Sequence, residues 1–283
     1  MTTGELLRAA TAQLTKAGID SPQLEARLLL AHALGTDRNT PIDRAREIDP
    51  TAFNTLLARR LTHEPLAFII GTQGFWTLDL AVSPATLIPR ADSETLIQAA
   101  LEHANPASIL DLGTGTGCLL LAALCEFPAA SGIGIDLSPA AAALAARNAQ
   151  TCNLATRSAF LAGNWSHAIN ARFDLILSNP PYIPAADIPA LMPEVARFEP
   201  ARALDGGEDG LTAYRALANI LPHLLTETSH AILEIGQHQG PDITAIMAAH
   251  GLRTVTIKPD LGGIPRAMVL VLEKTFGRTA GSR

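Results

Sequence analysis

From Ser108 to Leu272 the chain repeats one pattern: a short apolar run, a turn of small or polar residues, then a stretch with helical spacing. The runs are Ser108–Asp111, Gly132–Asp136, Ser158–Leu161, Phe173–Ser178, His230–Ile235, Thr254–Ile257 and Ala267–Leu272. Parallel strands cannot be joined by tight turns, so helical crossovers must lie on both faces of such a sheet. The pattern predicts an α/β fold with a seven-stranded, doubly wound parallel sheet. The Ala140–Ala146 run resembles low complexity, but it falls where a crossover helix is due, and alanine is the best helix former.

The first 65 residues read differently. Leu6, Leu7, Ala10 and Leu14 have helical spacing, and Gly18 stops the pattern. Ser21 and Pro22 read as an N-cap with proline at the first helical position, followed by Leu24, Leu28 and Leu29 up to Gly35. A third helix is expected from Thr51 to about Leu61. After Gly71 and Gly74, Phe75–Val82 alternates like a strand until Ser83 and Pro84 break it, and Asp92 is placed to cap a helix from Glu94 to about His103. The expected division is a helical bundle over 1–70, a β-hairpin linker over 71–90 and the sheet domain over 91–283.

With 48% hydrophobic and 17% charged residues, the chain has material for a core and too little charge for disorder. No run reaches the ~18 apolar residues of a membrane span, and Glu5 and Arg8 stand where an export signal would be apolar. A cytoplasmic protein is expected. Cys118, Cys125 and Cys152 are an odd number without a C-x-x-C pair, so they read as buried thiols in a reducing compartment rather than as disulfide or zinc ligands. Residues 1–75 balance 8 basic against 8 acidic side chains, so the net charge of -6 falls on the larger part. That argues against a stable grip on long nucleic acid. No oligomer signal is visible, and a monomer is expected.

Two motifs carry chemistry. The first is Asp111-Leu112-Gly113-Thr114-Gly115-Thr116-Gly117, a strand end running through glycines into a helix, where free N–H groups and close backbone approach suit a ligand. A dinucleotide fingerprint does not fit. Starting at Gly113 its third glycine would fall on Cys118, and starting at Gly115 on Leu120. An acidic residue followed by G-x-G-x-G instead resembles the first motif of S-adenosylmethionine-dependent methyltransferases. Asp136 ends the next strand, where it can accept both ribose hydroxyls or serve as a helix cap.

The second motif is Asn179-Pro180-Pro181-Tyr182, at the carboxyl end of the fourth strand. The lone pair of an amide or exocyclic amine nitrogen is delocalised, so such a nitrogen attacks poorly unless its N–H groups are held. The side-chain oxygen of Asn179 can accept one N–H and the carbonyl of Pro180 the other. Prolines fix φ and remove competing donors, while Tyr182 can pack on the planar group. A sulfonium methyl donor loses its charge during in-line displacement, so positioning and electrostatics suffice without a strong base. Neither H-E-x-x-H, G-x-S-x-G nor a P-loop occurs, and the eight histidines read as structural or surface residues.

The motif alone fits adenine N6, cytosine N4 or glutamine. Over nearly its whole length the chain resembles the HemK/PrmC family of release-factor glutamine methyltransferases. The matching stretches are Pro65–Gly71, Leu87–Arg90, the glycine loop, Asn179–Tyr182, Phe198–Pro200, Leu204–Leu211 and Asp260–Arg266. The resemblance implies S-adenosylmethionine as methyl donor and S-adenosylhomocysteine as product. It implies as substrate the glutamine of the Gly-Gly-Gln motif in bacterial peptide chain release factors, recognised through the helical domain. It carries over Gly113, Thr114, Gly115, Thr116, Gly117, Asp136, Trp165 and Asn179 as cofactor contacts. Asn179, Pro180, Pro181 and Tyr182 carry over as the substrate clamp. Trp165 can stack on adenine, and from the residues alone a core tryptophan is an equal reading.

The chain departs from the family pattern at Asn164, where an aspartate is usual, and at Ala91-Asp92-Ser93-Glu94, which replaces Pro-Glu-Thr-Glu. Arg90 and Glu199 read as supporting residues or as a surface pair, outside the site. The competing readings are a nucleic-acid amine methyltransferase, which needs a basic channel or flipped-base pocket, and a non-enzymatic module that binds the methyl donor.

Overall fold

A capping box opens the first helix: Glu5 N–H donates to Thr2 Oγ1 at 3.2 Å, and Thr2 N–H donates to Glu5 Oε2 at 2.9 Å. The computed structural model describes residues 1–167 and 169–273. In chain order its elements begin with α1 (Thr3–Lys16), α2 (Pro22–Ala33), α3 (Thr51–Leu61), α4 (Leu66–Ile70) and the hairpin β1 (Thr72–Phe75) and β2 (Leu78–Ala81). Then come α5 (Glu94–His103), β3 (Ser108–Leu112), α6 (Cys118–Glu126), β4 (Ser131–Asp136), α7 (Pro139–Thr151), β5 (Ser158–Ala162) and β6 (Phe173–Ser178). The last are α8 (Pro193–Phe198), α9 (Thr212–Leu224), β7 (Leu225–Glu234), α10 (Gly240–Ala248), β8 (Leu252–Pro259) and β9 (Pro265–Leu272).

Two units result. One comprises Met1–Thr72 with Leu191–Glu199, and the other Gln73–Ala190 with the chain from Pro200 onward. In the first, Leu6, Ala10, Leu14, Leu29, Leu30, Phe53 and Leu57 form the core, as helical spacing requires. Gly18 and Gly35 stop their helices at φ +78° and +64°. Ser21 does not cap through its side chain; its main-chain carbonyl accepts Glu25 N–H, and Pro22 fixes the first turn. The segment carrying α8 joins this unit through charge. Buried Arg60 contacts Glu25 at 2.5 Å and Glu194 at 3.0 Å, and His63 Nδ1 lies 3.0 Å from the same Glu194 oxygen. Nothing in the spacing of residues 191–199 announces this partner, because the pairing spans 134 residues.

In the second unit the sheet order is β5-β4-β3-β6-β7-β9-β8. It departs from the all-parallel expectation at β9, which runs antiparallel to both β7 and β8. The β8–β9 connection is a tight turn, with Gly263 N–H donating to the Asp260 carbonyl, and a turn that short admits only an antiparallel pair. Strand order reverses beside β3: the chain moves outward through β4 and β5, then returns to lay β6 on β3's other edge. Leucine and isoleucine side chains of β3, β6 and β7 fill the layers on both faces. The alanine run forms α7, whose small side chains allow close packing.

Phe75–Val82 is not one strand. Trp76 and Thr77 form a turn, with Trp76 at φ +55°. Trp76 is held there by Glu94, which accepts its main-chain N–H, and by Glu126, which accepts its indole N–H, both at 2.7 Å. The expected linker therefore contains a hairpin only over 72–81, and 82–90 is irregular apart from a short turn. Asp92 does not cap α5; a 3-10 turn over Ala91–Ser93 leads into the helix, and Asp92 meets Arg266 at 3.3 Å. The cysteines also depart from expectation. All three are free, but Cys118 and Cys152 are half-buried and Cys125 is exposed.

The hairpin is fastened by Asn148 of α7, which is 2% exposed. Its Nδ2 donates to the carbonyls of Ala81 and Thr116, and its Oδ1 accepts Ala81 N–H. Asn148→Ala leaves these buried groups unpaired and is expected to lower unfolding free energy by ~3 kcal/mol. Urea denaturation checks this, and an unchanged midpoint would refute it. Arg60→Met strands two carboxylates and is expected to cost about 3 kcal/mol at neutral pH. Burial pushes Glu194 up, but its hydrogen bonds with His63 and Arg60 hold it below the usual carboxylate range. The Glu194 share is therefore present above the ordinary glutamate pKa and lost as pH falls through the lowered value. The gap between wild type and Arg60→Met should narrow in acid denaturation curves.

Candidate active site

At the end of β3 the backbone turns through Gly113, Gly115 and Gly117 at φ +76°, +56° and +83°. The three glycines have different reasons. A Cβ on Gly117 would lie 3.1 Å from Ala145 and 3.3 Å from Phe160, so packing as well as handedness demands glycine there. At Gly113 and Gly115 a Cβ would meet nothing nearer than 3.9 Å, so the backbone conformation alone excludes other residues and the space before them stays open. Both Gly113 N–H and Thr114 N–H donate to the Ile135 carbonyl at 2.9 Å, which ties the loop to β4.

Under this loop polar groups are buried. Thr114 Oγ1 donates to Asp111 Oδ2 at 2.6 Å, while Asp111 Oδ1 and Thr116 Oγ1 have no hydrogen-bond partner. Burial pushes the Asp111 carboxyl up to about 7, with the Thr114 bond opposing. Asp136, at the end of β4, accepts Gly115 N–H on Oδ2 at 2.9 Å and Ser138 N–H on Oδ1 at 2.8 Å. It does not cap α7 itself; Ser138 does, accepting Ala141 N–H. Each Asp136 oxygen keeps a lone pair for a further donor.

Beyond β5, Trp165 sits at φ +47°, a conformation that is uncommon for a bulky side chain and costs on the order of 1–3 kcal/mol. Gly113–Thr116, Asp136, Asn164, Trp165, Asn179 and Pro181 line one cleft at the carboxyl ends of β3, β4, β5 and β6. That is the switch point of the sheet, where open α/β sheets bind ligands. Gly117 shapes the turn behind the cleft. Among the other predicted site residues, Pro180 is buried and Tyr182 half-buried, outside its lining.

Tyr182 is instead anchored. Its hydroxyl donates to Glu234 Oε1 at 3.2 Å, and burial beside that carboxylate pushes the phenol well above its ordinary pKa. The other Glu234 oxygen accepts the hydroxyl of buried Ser93 at 2.5 Å, and Ser93 Oγ accepts Asn179 Nδ2–H at 3.1 Å. Tyr214 donates to the main-chain carbonyl of Glu234 at 2.8 Å. Burial pushes the Glu234 carboxyl up, while Ser93, Arg266 and Tyr182 pull the other way.

Sequence reasoning missed Ser93, Glu234 and Arg202. Glu234 lies within the predicted strand His230–Ile235, which reads as core, and only a carboxylate among apolar neighbours could have marked it. Arg202 donates to Ser138 Oγ at 2.9 Å and to the Ala85 carbonyl at 3.2 Å, closing the cleft's rim with Ala85–Leu87. Among the described residues no cluster of His, Cys, Asp and Glu could hold a metal ion, and no helix is long and apolar enough to cross a membrane.

Comparison with known proteins places this architecture. Residues 5–71 match the PrmC N-terminal domain family and residues 91–197 the methyltransferase small domain family. A release factor glutamine methyltransferase of Rhodospirillum rubrum is 46% identical, over 94% of this chain and 84% of the relative. One of Vibrio cholerae is 42% identical, over 92% and 93%. A methyltransferase crystal structure from Pyrococcus furiosus aligns with 78% of this chain and 100% of its own at a TM-score of 0.55 and 16% identity, a likeness of fold. With the helical unit, the switch-point cleft and relatives of this identity along nearly its whole length, the chain belongs to the family of release factor glutamine methyltransferases.

Proposed function

We propose that this protein transfers the methyl group of S-adenosylmethionine to the side-chain amide nitrogen, N5, of the glutamine in the Gly-Gly-Gln motif of bacterial peptide chain release factors. The observation that carries this reading is Asn179: it lines the cleft, and its Nδ2 is committed to Ser93, which leaves Oδ1 as an acceptor. An acceptor there suits a substrate that must yield an N–H hydrogen bond before its nitrogen lone pair can attack.

The cleft fits the methyl donor. Side-chain-free space at Gly113 and Gly115 admits close approach, and Asp136 keeps lone pairs for ribose hydroxyls at a position the glycine loop itself fixes. The unpartnered Asp111 oxygen places potential negative charge beneath the loop, and a cationic ligand above it favours the ionised carboxylate. Trp165 offers a ring beside Asn164 for adenine, and the amide oxygen of Asn164 remains an acceptor where an aspartate is usual. When bound, S-adenosylmethionine supplies a methyl group on a sulfonium that becomes neutral on transfer.

The protein's own part is placement. Asn179 Oδ1 and the Pro180 carbonyl accept the two N–H groups of the glutamine amide, which disfavours delocalisation of the nitrogen lone pair. Neither Pro180 nor Pro181 has an N–H to compete, and their fixed φ keeps the loop stiff. Tyr182, with its hydroxyl held by Glu234, presents a ring of fixed orientation to the planar amide. The helical unit recognises the body of the release factor. The enzyme acts in the cytoplasm as a monomer without stable nucleic-acid binding.

The test is incubation with S-adenosylmethionine and unmethylated release factor, followed by peptide mapping by mass spectrometry. One added methyl on the Gly-Gly-Gln glutamine is expected. Asn179→Ala should lower turnover by ~100-fold or more while donor affinity stays within about threefold. Label appearing in nuclease-sensitive material instead would replace this reading with a nucleic-acid amine substrate. Asp136→Ala removes an acceptor and loosens the loop, so donor affinity should fall by about 10- to 100-fold, as calorimetry would read. Wild-type affinity would remove Asp136 from the site.

A further inference from the structure

We infer that Ser93 and Glu234 are positioning residues that set which end of the Asn179 amide faces the substrate, through the chain Asn179 Nδ2–H to Ser93 Oγ to Glu234 Oε2. This inference rests on the proposed function, since it explains how the clamp residue is oriented.

The argument is one of hydrogen-bond polarity. An asparagine amide presents oxygen or nitrogen with nearly the same shape, and rotation by half a turn exchanges an acceptor for a donor. Only the oxygen can take an N–H from the substrate. Glu234 receives hydroxyl hydrogens on both oxygens, from Ser93 and from Tyr182, so it serves as the acceptor of the network. Ser93 has one hydrogen and spends it on Glu234, so toward Asn179 its oxygen can only accept. Asn179 must then turn Nδ2 to Ser93 and Oδ1 the other way. Ser93 and Glu234 are each 2% exposed, so water does not compete to reverse the order.

The same carboxylate grips both ends of the four-residue motif, Asn179 through Ser93 and Tyr182 directly. Its place is itself fixed, because Tyr214 holds its main-chain carbonyl and β7 pairs with β6 up to Leu233 against Ser178. Threonine carries the same hydroxyl as serine, and valine has threonine's shape without it.

Ser93→Thr, Ser93→Ala and Ser93→Val in the full chain make the test, with kcat and KM measured on intact release factor. Donor affinity and thermal unfolding serve as checks of the fold. Ser93→Ala and Ser93→Val are expected to lose about 10- to 100-fold in kcat, the usual effect of removing a group that orients a reacting side chain, with KM and donor affinity within about threefold. Ser93→Thr should restore kcat to within about threefold. Nitrogen-15 correlation spectra supply a second readout: the Asn179 side-chain NH2 signal, assigned by its loss in Asn179→Asp, should move in Ser93→Ala and Ser93→Val and stay in Ser93→Thr. Wild-type kcat in Ser93→Ala, or an unmoved NH2 signal, would overturn the inference. A wild-type enzyme that leaves release factors unmethylated would sink the functional reading instead, and the spectra would still decide the hydrogen-bond chain.

Discussion

The pairing of β3 with β6 is the constraint on which the site depends. Leu112 lies opposite Ser178, so the glycine loop and the Asn179 segment leave the sheet side by side. Ser178 Oγ donates to the Leu112 carbonyl at 2.7 Å, closing the gap where the two loops diverge. Had β6 been laid on the outer edge of β5, the two motifs would stand three strand spacings apart, roughly 14 Å. Reversal of strand order beside β3 is thus what brings the glycine turn and the Asn179 segment into one cleft.

Local signals carried much of this. Hydrophobic periodicity placed all seven strands of the sheet, because strands in a covered sheet are apolar runs wherever they pair. Glycines at 18, 35, 113, 115 and 117 all adopt the positive φ that their positions suggested. Several of the departures share a physical cause, which is pairing between distant residues. Trp76 reads as part of a strand by alternation and becomes a turn residue because Glu94 and Glu126 take its two N–H groups. Asp92 reads as a cap and turns to Arg266, 174 residues away. Residues 191–199 read as part of the sheet domain, yet Arg60 draws Glu194 into the helical unit.

The candidate site divides along the same line. The motif residues of the proposed site were legible, since the proposed chemistry calls for their types: glycines for approach, a carboxylate for hydroxyls, an asparagine followed by two prolines for N–H groups. Ser93 and Arg202, which also line the cleft, were not, nor was Glu234, which Ser93 contacts. Ser93 and Glu234 are separated by 141 positions and are ordinary in their local contexts, a serine before a helix and a glutamate ending a strand. What distinguishes Glu234 is burial of a carboxylate with three hydroxyl partners around it, counting Tyr214 at the main chain, and that becomes visible only when the sheet closes.

Two ways of fixing a side chain meet in this cleft, and they suit different tasks. Asp136 is held by the main-chain N–H groups of Gly115 in the glycine loop and of Ser138 in its own turn, so its place is fixed beside that loop. A carboxylate presents oxygen whichever way it rotates, so such local bonds suffice. Asn179 has unlike ends, so its amide must be held by a group that can only accept or only donate, as the main-chain groups around Asn148 do. Its orientation requires a partner of fixed polarity, and a hydroxyl acquires fixed polarity only when a stronger acceptor takes its hydrogen. A buried carboxylate is such an acceptor, and burial raises its desolvation cost unless several donors converge on it. The convergence of Ser93 and Tyr182 on the Glu234 carboxylate offsets that cost at the point where the order of an amide's two ends decides whether it can serve as an acceptor.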